Sequence, residues 1–282
     1  MRDEQEYIEK TIRSVISQTL VPMAWIFVND GSTDRTREII ETYIRNYPWI
    51  QVIDREDRGF RMPGKGIVEA FYEGFERVKE LPWDFVVKLD CDLSFEPNYF
   101  ENILREFDKC PQLGIASGKT FLPVKGNANH LKLEWCPDTC TRGPAKMYKR
   151  ECFENIGGIR REFGWDTMDD IAAMVEGYVV RSFSQYALIH YRPIGMRTHC
   201  HQGLSRSLSL GPHLYYLGYH PLFVILKSIK MMWTDRPFFW AGIGVMLSYG
   251  LAIIRRSRRI DDSRLIKKLQ EVQLKRIFKA RN

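Results

Sequence analysis

The chain has 282 residues, of which 44% are hydrophobic and 27% charged, with a formal net charge of +7 at pH 7. These figures suit one large α/β domain, or one domain with appendages, and exclude wholesale disorder, collagen-like repeats and a polytopic membrane protein. Six cysteines without paired CxxC spacing exclude a disulfide scaffold and point to reduced thiols in a cytoplasmic protein.

Residues 1–10 are charged and lack the apolar run of a signal peptide. Tyr7, Ile8, Ile12, Val15 and Ile16 recur at helical spacing, so a helix is predicted over 6–18. A short buried strand follows at 24–29 (AWIFVN), then a turn at 30–34 (DGSTD) and a helix over 35–47. Residues 50–54 read as a strand, 66–79 as a helix and 85–89 (FVVKL) as a strand. This alternation predicts a parallel α/β sheet. Beyond it come a helix over 97–109, a strand over 113–117, a polar stretch over 123–145 that reads as loop with short pieces of structure, a helix over 169–177 and strands at 178–183 and 187–191.

The character changes near residue 205. Residues 214–233 are apolar with two lysines, and 238–254 hold 17 residues without a charge, followed by Arg255, Arg256, Arg258 and Arg259. Seventeen residues make roughly 25 Å of helix, a little short of the ~20 residues that span a bilayer. Residues 262–278 form a basic amphipathic helix, with Leu265, Ile266, Leu269, Val272, Ile277 and Phe278 on one side. From Lys227 onward there are 14 Lys+Arg against 4 Asp+Glu, which leaves the preceding body slightly acidic. The basic, apolar tail predicts docking on the inner face of the cell membrane; packing of 238–254 as a core or dimer helix is the alternative. No nucleic-acid partner is expected of the acidic body.

Three acidic clusters carry the candidate chemistry. Asp30 lies past the carboxyl end of a strand, where open α/β sheets bind ligands; it reads either as a ligand contact or as a helix cap with Ser32. Asp90 and Asp92 follow another strand at i and i+2, so they point the same way, and two such carboxylates favour Mg²⁺ or Mn²⁺. Asp166, Asp169 and Asp170 crowd a helix start, where capping explains part of the cluster. The adjacent Trp165 offers an indole on which a sugar ring could rest.

In this order, 28–36 (VNDGSTDRT), 88–92 (KLDCD) and 164–170 (GWDTMDD) resemble glycosyltransferase family 2. The helix over 6–18 resembles the family's opening helix, and the likeness covers about residues 3–200. The resemblance implies a GT-A-type mixed, mainly parallel sheet flanked by helices over 1–205, with 206–282 as a helical, membrane-associating extension. It implies inverting transfer of a sugar from a nucleotide-diphospho-sugar to a lipid-linked or polysaccharide acceptor. Asp30 and Asp90 would contact the nucleotide. Asp90 and Asp92 would hold the metal, with His190 as third ligand and His199 or His201 as alternatives. Trp165 would face the acceptor.

The family's base ends a Glu-Asp pair about eleven residues before a Gly-aromatic, and Gly177-Tyr178 puts it at Asp166. Trp165 then replaces the glutamate, which leaves Asp169 and Asp170 as rival bases. Arg142, Lys146 and Arg150 are either phosphate contacts or a solvated basic loop. The family also begins with a buried strand ending in Pro-x-x-Asn-Glu, whereas residues 1–4 (MRDE) fall on that Asn-Glu turn. The resemblance therefore implies an absent first strand and weakened nucleotide binding. A catalytically degenerate partner subunit is the competing reading. A nucleotidyltransferase would need a Gly-rich, Lys-bearing loop near the N-terminus, and 62–66 (MPGKG) lies too late.

Overall fold

The computed structural model describes residues 1–60, 62, 64–124, 127–192 and 203–279. The chain divides into two compact units, Met1–Pro193 and Ile194–Asn282, so the change of unit falls before the expected residue 205.

The first unit opens with α1 (Ile8–Ile16), which buries Ile8, Thr11, Ile12 and Val15 on one face. Strand β1 (Trp25–Asn29), α2 (Thr36–Ile44) and β2 (Ile50–Asp54) follow, and β1 and β2 pair in parallel as a separate two-stranded sheet. The amino group of Met1 donates to the Val28 carbonyl at 2.8 Å, and the Asp30 amide donates to the Met1 carbonyl at 2.8 Å. After α3 (Lys65–Phe75) comes a six-stranded sheet built from β3 (Phe85–Leu89), β4 (Leu93–Phe95), β5 (Leu113–Val124), β6 (Asn127–Leu133), β7 (Ala145–Lys149) and β8 (Val179–His190). Its order is β3-β7-β5-β8-β4, with β6 paired to β5. Only β5 and β8 pair in parallel within this sheet, so it is mixed as expected but mainly antiparallel, not mainly parallel, and β3 joins it instead of extending the parallel β1–β2 pair.

Helices α4 (Tyr99–Lys109), α5 (Arg150–Asn155) and α6 (Trp165–Val175) flank the sheet. Leu93, Phe95, Tyr99, Phe100, Ile103, Phe107, Leu113 and Leu188 make one continuous core. Thr11 stitches α1 to β4, its hydroxyl donating to the Leu93 carbonyl at 2.8 Å and accepting from the Leu93 amide at 2.9 Å.

Three local readings are corrected. The polar stretch 123–145 holds more strand than the short pieces expected: β5 continues to Val124, β6 pairs antiparallel with it, and β7 begins at Ala145. Lys119 and Lys132, carried by those strands, conceal the strand pattern in the sequence. The helix expected at 169–177 begins at Trp165, because Gly164 takes a left-handed φ of 78° and turns the chain into it. The two strands expected at 178–183 and 187–191 are one strand, β8, whose register against β5 jumps between Gly118↔Phe183 and Lys119↔Ala187. Glycine is needed at that bulge, since a Cβ on Gly118 would lie 1.9 Å from the Tyr186 carbonyl oxygen.

The second unit is helical: α7 (Leu204–Tyr216), α8 (Pro221–Thr234), α9 (Trp240–Ile254) and α10 (Ser263–Lys279). Its glycines let helices approach closely. A Cβ on Gly211 of α7 would lie 2.1 Å from the Ser248 hydroxyl of α9, and one on Gly242 would lie 2.2 Å from the Ser228 carbonyl of α8. The uncharged segment 238–254 therefore packs one face, Ala241, Val245, Ser248 and Tyr249, against its neighbours. Among the described residues no helix is long and apolar enough to cross a membrane.

Candidate functional site

The carboxyl ends of β1 and β3, the end of β8 and the start of α6 meet through short contacts. Asp30 follows β1 and does not cap α2, whose N-cap position is Arg35; the Thr36 amide donates to Asp34 Oδ1 at 3.0 Å. Asp30 instead holds two arginines, Arg55 Nη1 at 2.9 Å and Arg58 Nη2 at 2.7 Å. Glu73 in turn holds Arg55 at 2.8 Å, and Glu69 holds Arg58 at 3.3 Å. Met1 joins this corner to the second cluster, since its sulfur lies 3.8 Å from Cys91 Sγ, between Asp90 and Asp92.

Asp90 and Asp92 diverge in exposure. Asp90 is about a third exposed and accepts from Lys88 Nζ at 2.5 Å, while its amide donates to the Pro144 carbonyl at 2.7 Å. Asp92 is buried, because Leu93 pairs with His190 across β4 and β8 and draws the two side chains together. His190 Nε2 stands 3.6 Å from Asp92 Oδ1, and Arg192 Nε stands 3.5 Å from Asp92 Oδ2. On the other side of the ring, His190 Nδ1 is 3.1 Å from Glu134 Oε2. Burial pushes the His190 imidazolium down, but Asp92 and Glu134 outweigh it and raise its pKa to about 9. Burial would raise the Glu134 carboxyl, but His190 and Arg142 hold it below the usual range.

One ligand atom each from Asp90, Asp92 and His190 lies within 4.8 Å of the others. Two carboxylates and an imidazole, with the imidazole and one carboxylate buried, are a donor set that fits a divalent cation of the Mn²⁺ kind; Mg²⁺ prefers oxygen alone. His199 and His201 lie outside the described residues.

The third cluster splits. Asp166 is half-buried in the first turn of α6. Asp169 and Asp170 are fully buried, and Lys146 Nζ donates to Asp169 at 2.6 Å, to Asp170 at 2.9 Å and to the Asp166 carbonyl at 2.8 Å. The Tyr148 hydroxyl donates to Asp169, and Asp170 accepts from the Thr141 amide at 2.8 Å and the Thr141 hydroxyl at 2.6 Å. Burial pushes the Asp169 carboxyl up to about 7, with Lys146 opposing and Asp170 adding to the shift. Burial alone would push the Lys146 ammonium down, and the two aspartates more than offset it.

Of the three candidate bases, Asp169 and Asp170 are thus enclosed and paired with Lys146, and Asp166 is the more open. Trp165 is enclosed as well. Its ring is 6% exposed, belongs to the core around Tyr148 and Phe153, and lies 5.2 Å from Lys88 Nζ and 5.8 Å from Lys146 Nζ.

Of the three basic residues, Lys146 is interior and serves the third cluster, Arg150 lies over Trp83 and pairs with Glu154, and Arg142 stands 3.8 Å from Glu134. Gly143 couples the clusters: its carbonyl accepts from Lys88 at 2.8 Å, and a Cβ there would stand 3.3 Å from the Trp165 ring and 3.7 Å from Asp166 Cβ.

Arg55, Arg58, Lys88 and Glu134 were not singled out by the sequence. Lys88 carried a signal, a lysine inside an apolar strand next to two aspartates. Glu134 carried none, because nothing in the polar stretch around it marks a strand that ends beside His190.

A family model for glycosyl transferase family 2 matches residues 1–159. Among curated relatives, a poly-β-1,6-N-acetyl-D-glucosamine synthase of Staphylococcus epidermidis is 29% identical over 125 residues, 44% of this chain and 28% of that protein. The chain thus spans little more than a quarter of that relative's length. Two solved structures share the fold. GalNAc-T7 with UDP, GalNAc and Mn²⁺ superposes with a TM-score of 0.57 at 11% identity, covering 95% of this chain and 54% of that one. The mannosyltransferase PcManGT of Pyrobaculum calidifontis, with GDP-Man and Mn²⁺, gives 0.51 at 13% identity, covering 99% and 84%.

Proposed function

The chain belongs to glycosyl transferase family 2, and on that premise we propose that it transfers a sugar with inversion from a nucleotide-diphospho-sugar to a glycan or glycolipid acceptor. The observation that carries this reading is the linked geometry of Asp30, Asp90, Asp92, His190 and Asp166 at one rim of the first unit. Asp30, held by Arg55 and Arg58, orients the nucleoside. Asp90, Asp92 and His190 would hold a divalent cation, which as a Lewis acid offsets charge on a departing diphosphate. Asp166 takes the proton from the acceptor hydroxyl as that oxygen attacks the anomeric carbon from the face opposite the leaving group. Lys88 holds Asp90 in place, and Lys146 holds the Asp166 turn through its carbonyl.

We propose further that the reaction takes place at the inner face of the cell membrane, a reading that the exposed apolar residues of the second unit support. Leu222, Ile225, Leu226, Ile229 and Trp233 form an exposed apolar stripe on α8, and Leu247, Leu251 and Ile254 form another on α9, with Arg255, Arg256, Arg258 and Arg259 immediately after. Apolar stripes beside clustered arginines suit an anionic lipid surface.

A panel of UDP- and GDP-sugars, each with and without Mn²⁺, tests the enzymatic reading by thermal shift and by release of the nucleoside diphosphate. One donor should raise the melting temperature in the presence of Mn²⁺ and be turned over. Binding without release, with every acceptor class supplied, would favour the degenerate partner subunit.

A further inference from the structure

We propose that Glu134 is a positioning residue for the cation site, fixing the His190 ring so that Nε2 is presented beside Asp92; this rests on the metal site proposed above. His190 ends β8, and Glu134 directly follows β6, two strands joined only through β5. The hairpin delivers Glu134 to the ring: its amide donates to the Thr120 carbonyl at 2.9 Å, and Oε2 stands 3.1 Å from His190 Nδ1. Both side chains are less than a tenth exposed.

An ionised carboxylate only accepts hydrogen bonds, so the proton between them sits on Nδ1. A cation held in the site would take the place of the Nε2 proton, leaving the ring neutral with its remaining proton on Nδ1 and its lone pair on Nε2, the nitrogen 3.6 Å from Asp92 Oδ1. Glu134 therefore selects the tautomer and the ring orientation that a metal ligand requires, the carboxylate–histidine arrangement by which proteins orient metal-binding imidazoles. Arg142, 3.8 Å from Oε1, adds a cation on the far side that helps keep this carboxylate ionised. A residue serving only to fill the space between β6 and β8 would be met as well by an apolar side chain, without the cost of burying a charge.

The test is a double-mutant cycle read by the EPR signal of free Mn²⁺, using the full chain and Mn²⁺ alone. Glu134→Ala should weaken Mn²⁺ binding about 10- to 100-fold. In a His190→Ala background the same change should cost less than about threefold, because the ring it positions is gone. Glu134→Gln, which keeps the volume, guards against loss of fold and should fall between wild type and Glu134→Ala. An equal effect of Glu134→Ala in both backgrounds, or an unchanged affinity, overturns the role of Glu134 while leaving the metal site standing. Failure of the wild-type chain to bind Mn²⁺ removes the metal site and this proposal with it.

Discussion

Asp166, Asp169 and Asp170 are the same residue type within five positions, and their surroundings give them different work. Asp169 and Asp170 face inward on α6, where Lys146, Tyr148 and Thr141 satisfy them, and Asp166 lies half-buried at the rim. Asp166→Asn should lower turnover by roughly 10²- to 10⁴-fold, the usual share of a general base. Its affinity for the nucleotide should stay within about twofold by calorimetry, because the proposed donor contacts, Asp30 and Asp90, follow β1 and β3 and are not on α6. Normal turnover in this variant would remove Asp166 as the base.

Asp169 makes a separate prediction about pH. Its folded-state pKa of about 7 lies above the ordinary carboxylate value of 3.8, so between those limits the native state holds more protons than the unfolded chain. Its contribution to stability is then greatest at low pH and is lost as pH rises from about 4 to about 7, by at most ~1.4 kcal/mol per unit. Asp169→Asn should flatten that portion of the stability curve in urea titrations; a difference between variant and wild type that does not change across the window would contradict it.

Among the elements, α6, β7 and the loop before β7 act as one support. Lys146 of β7 reaches the first turn of α6, Asp170 of α6 reaches Thr141 in the loop, and Gly143 of the same loop reaches Lys88 of β3. Removing one partner of a buried ionic group leaves charge without compensation, at about 3–5 kcal/mol. Lys146→Met should cost that much in urea denaturation, since it strands two carboxylates. Loss of under ~1 kcal/mol would mean that water or a shifted side chain already serves them. These elements were unevenly legible. The helices and strands over the first ninety residues follow from periodicity and turn residues. The β5–β6 hairpin and the bulge at Gly118 did not, because an edge strand rich in polar residues has no strong alternation and a bulge is invisible without its partner strand.

At the scale of the whole molecule, the uneven charge and the exposed apolar helices of the second unit predict association with anionic membranes. The chain should float with vesicles containing phosphatidylserine or phosphatidylglycerol and stay behind with neutral ones, and roughly 0.5 M salt should weaken the interaction as screening shortens. Replacing Arg255, Arg256, Arg258 and Arg259 by glutamine should reduce flotation at least tenfold, at about 1 kcal/mol per cation near the surface. If light scattering instead shows a stable dimer, and flotation does not depend on lipid charge, the stripes on α8 and α9 cover a second copy of the chain.

The amino-acid sequence by itself determined the family, the placing of Asp30, Asp90 and Asp92 after strands, and the basic apolar tail, because local spacing and turn chemistry act between near neighbours. The tertiary structure alone decided that Asp169 and Asp170 are buried against Lys146, that Trp165 lies in the core, and that Glu134 stands beside His190. Those outcomes depend on which side chains share an enclosed volume, and sheet pairing between residues as far apart as Leu93 and His190 sets that.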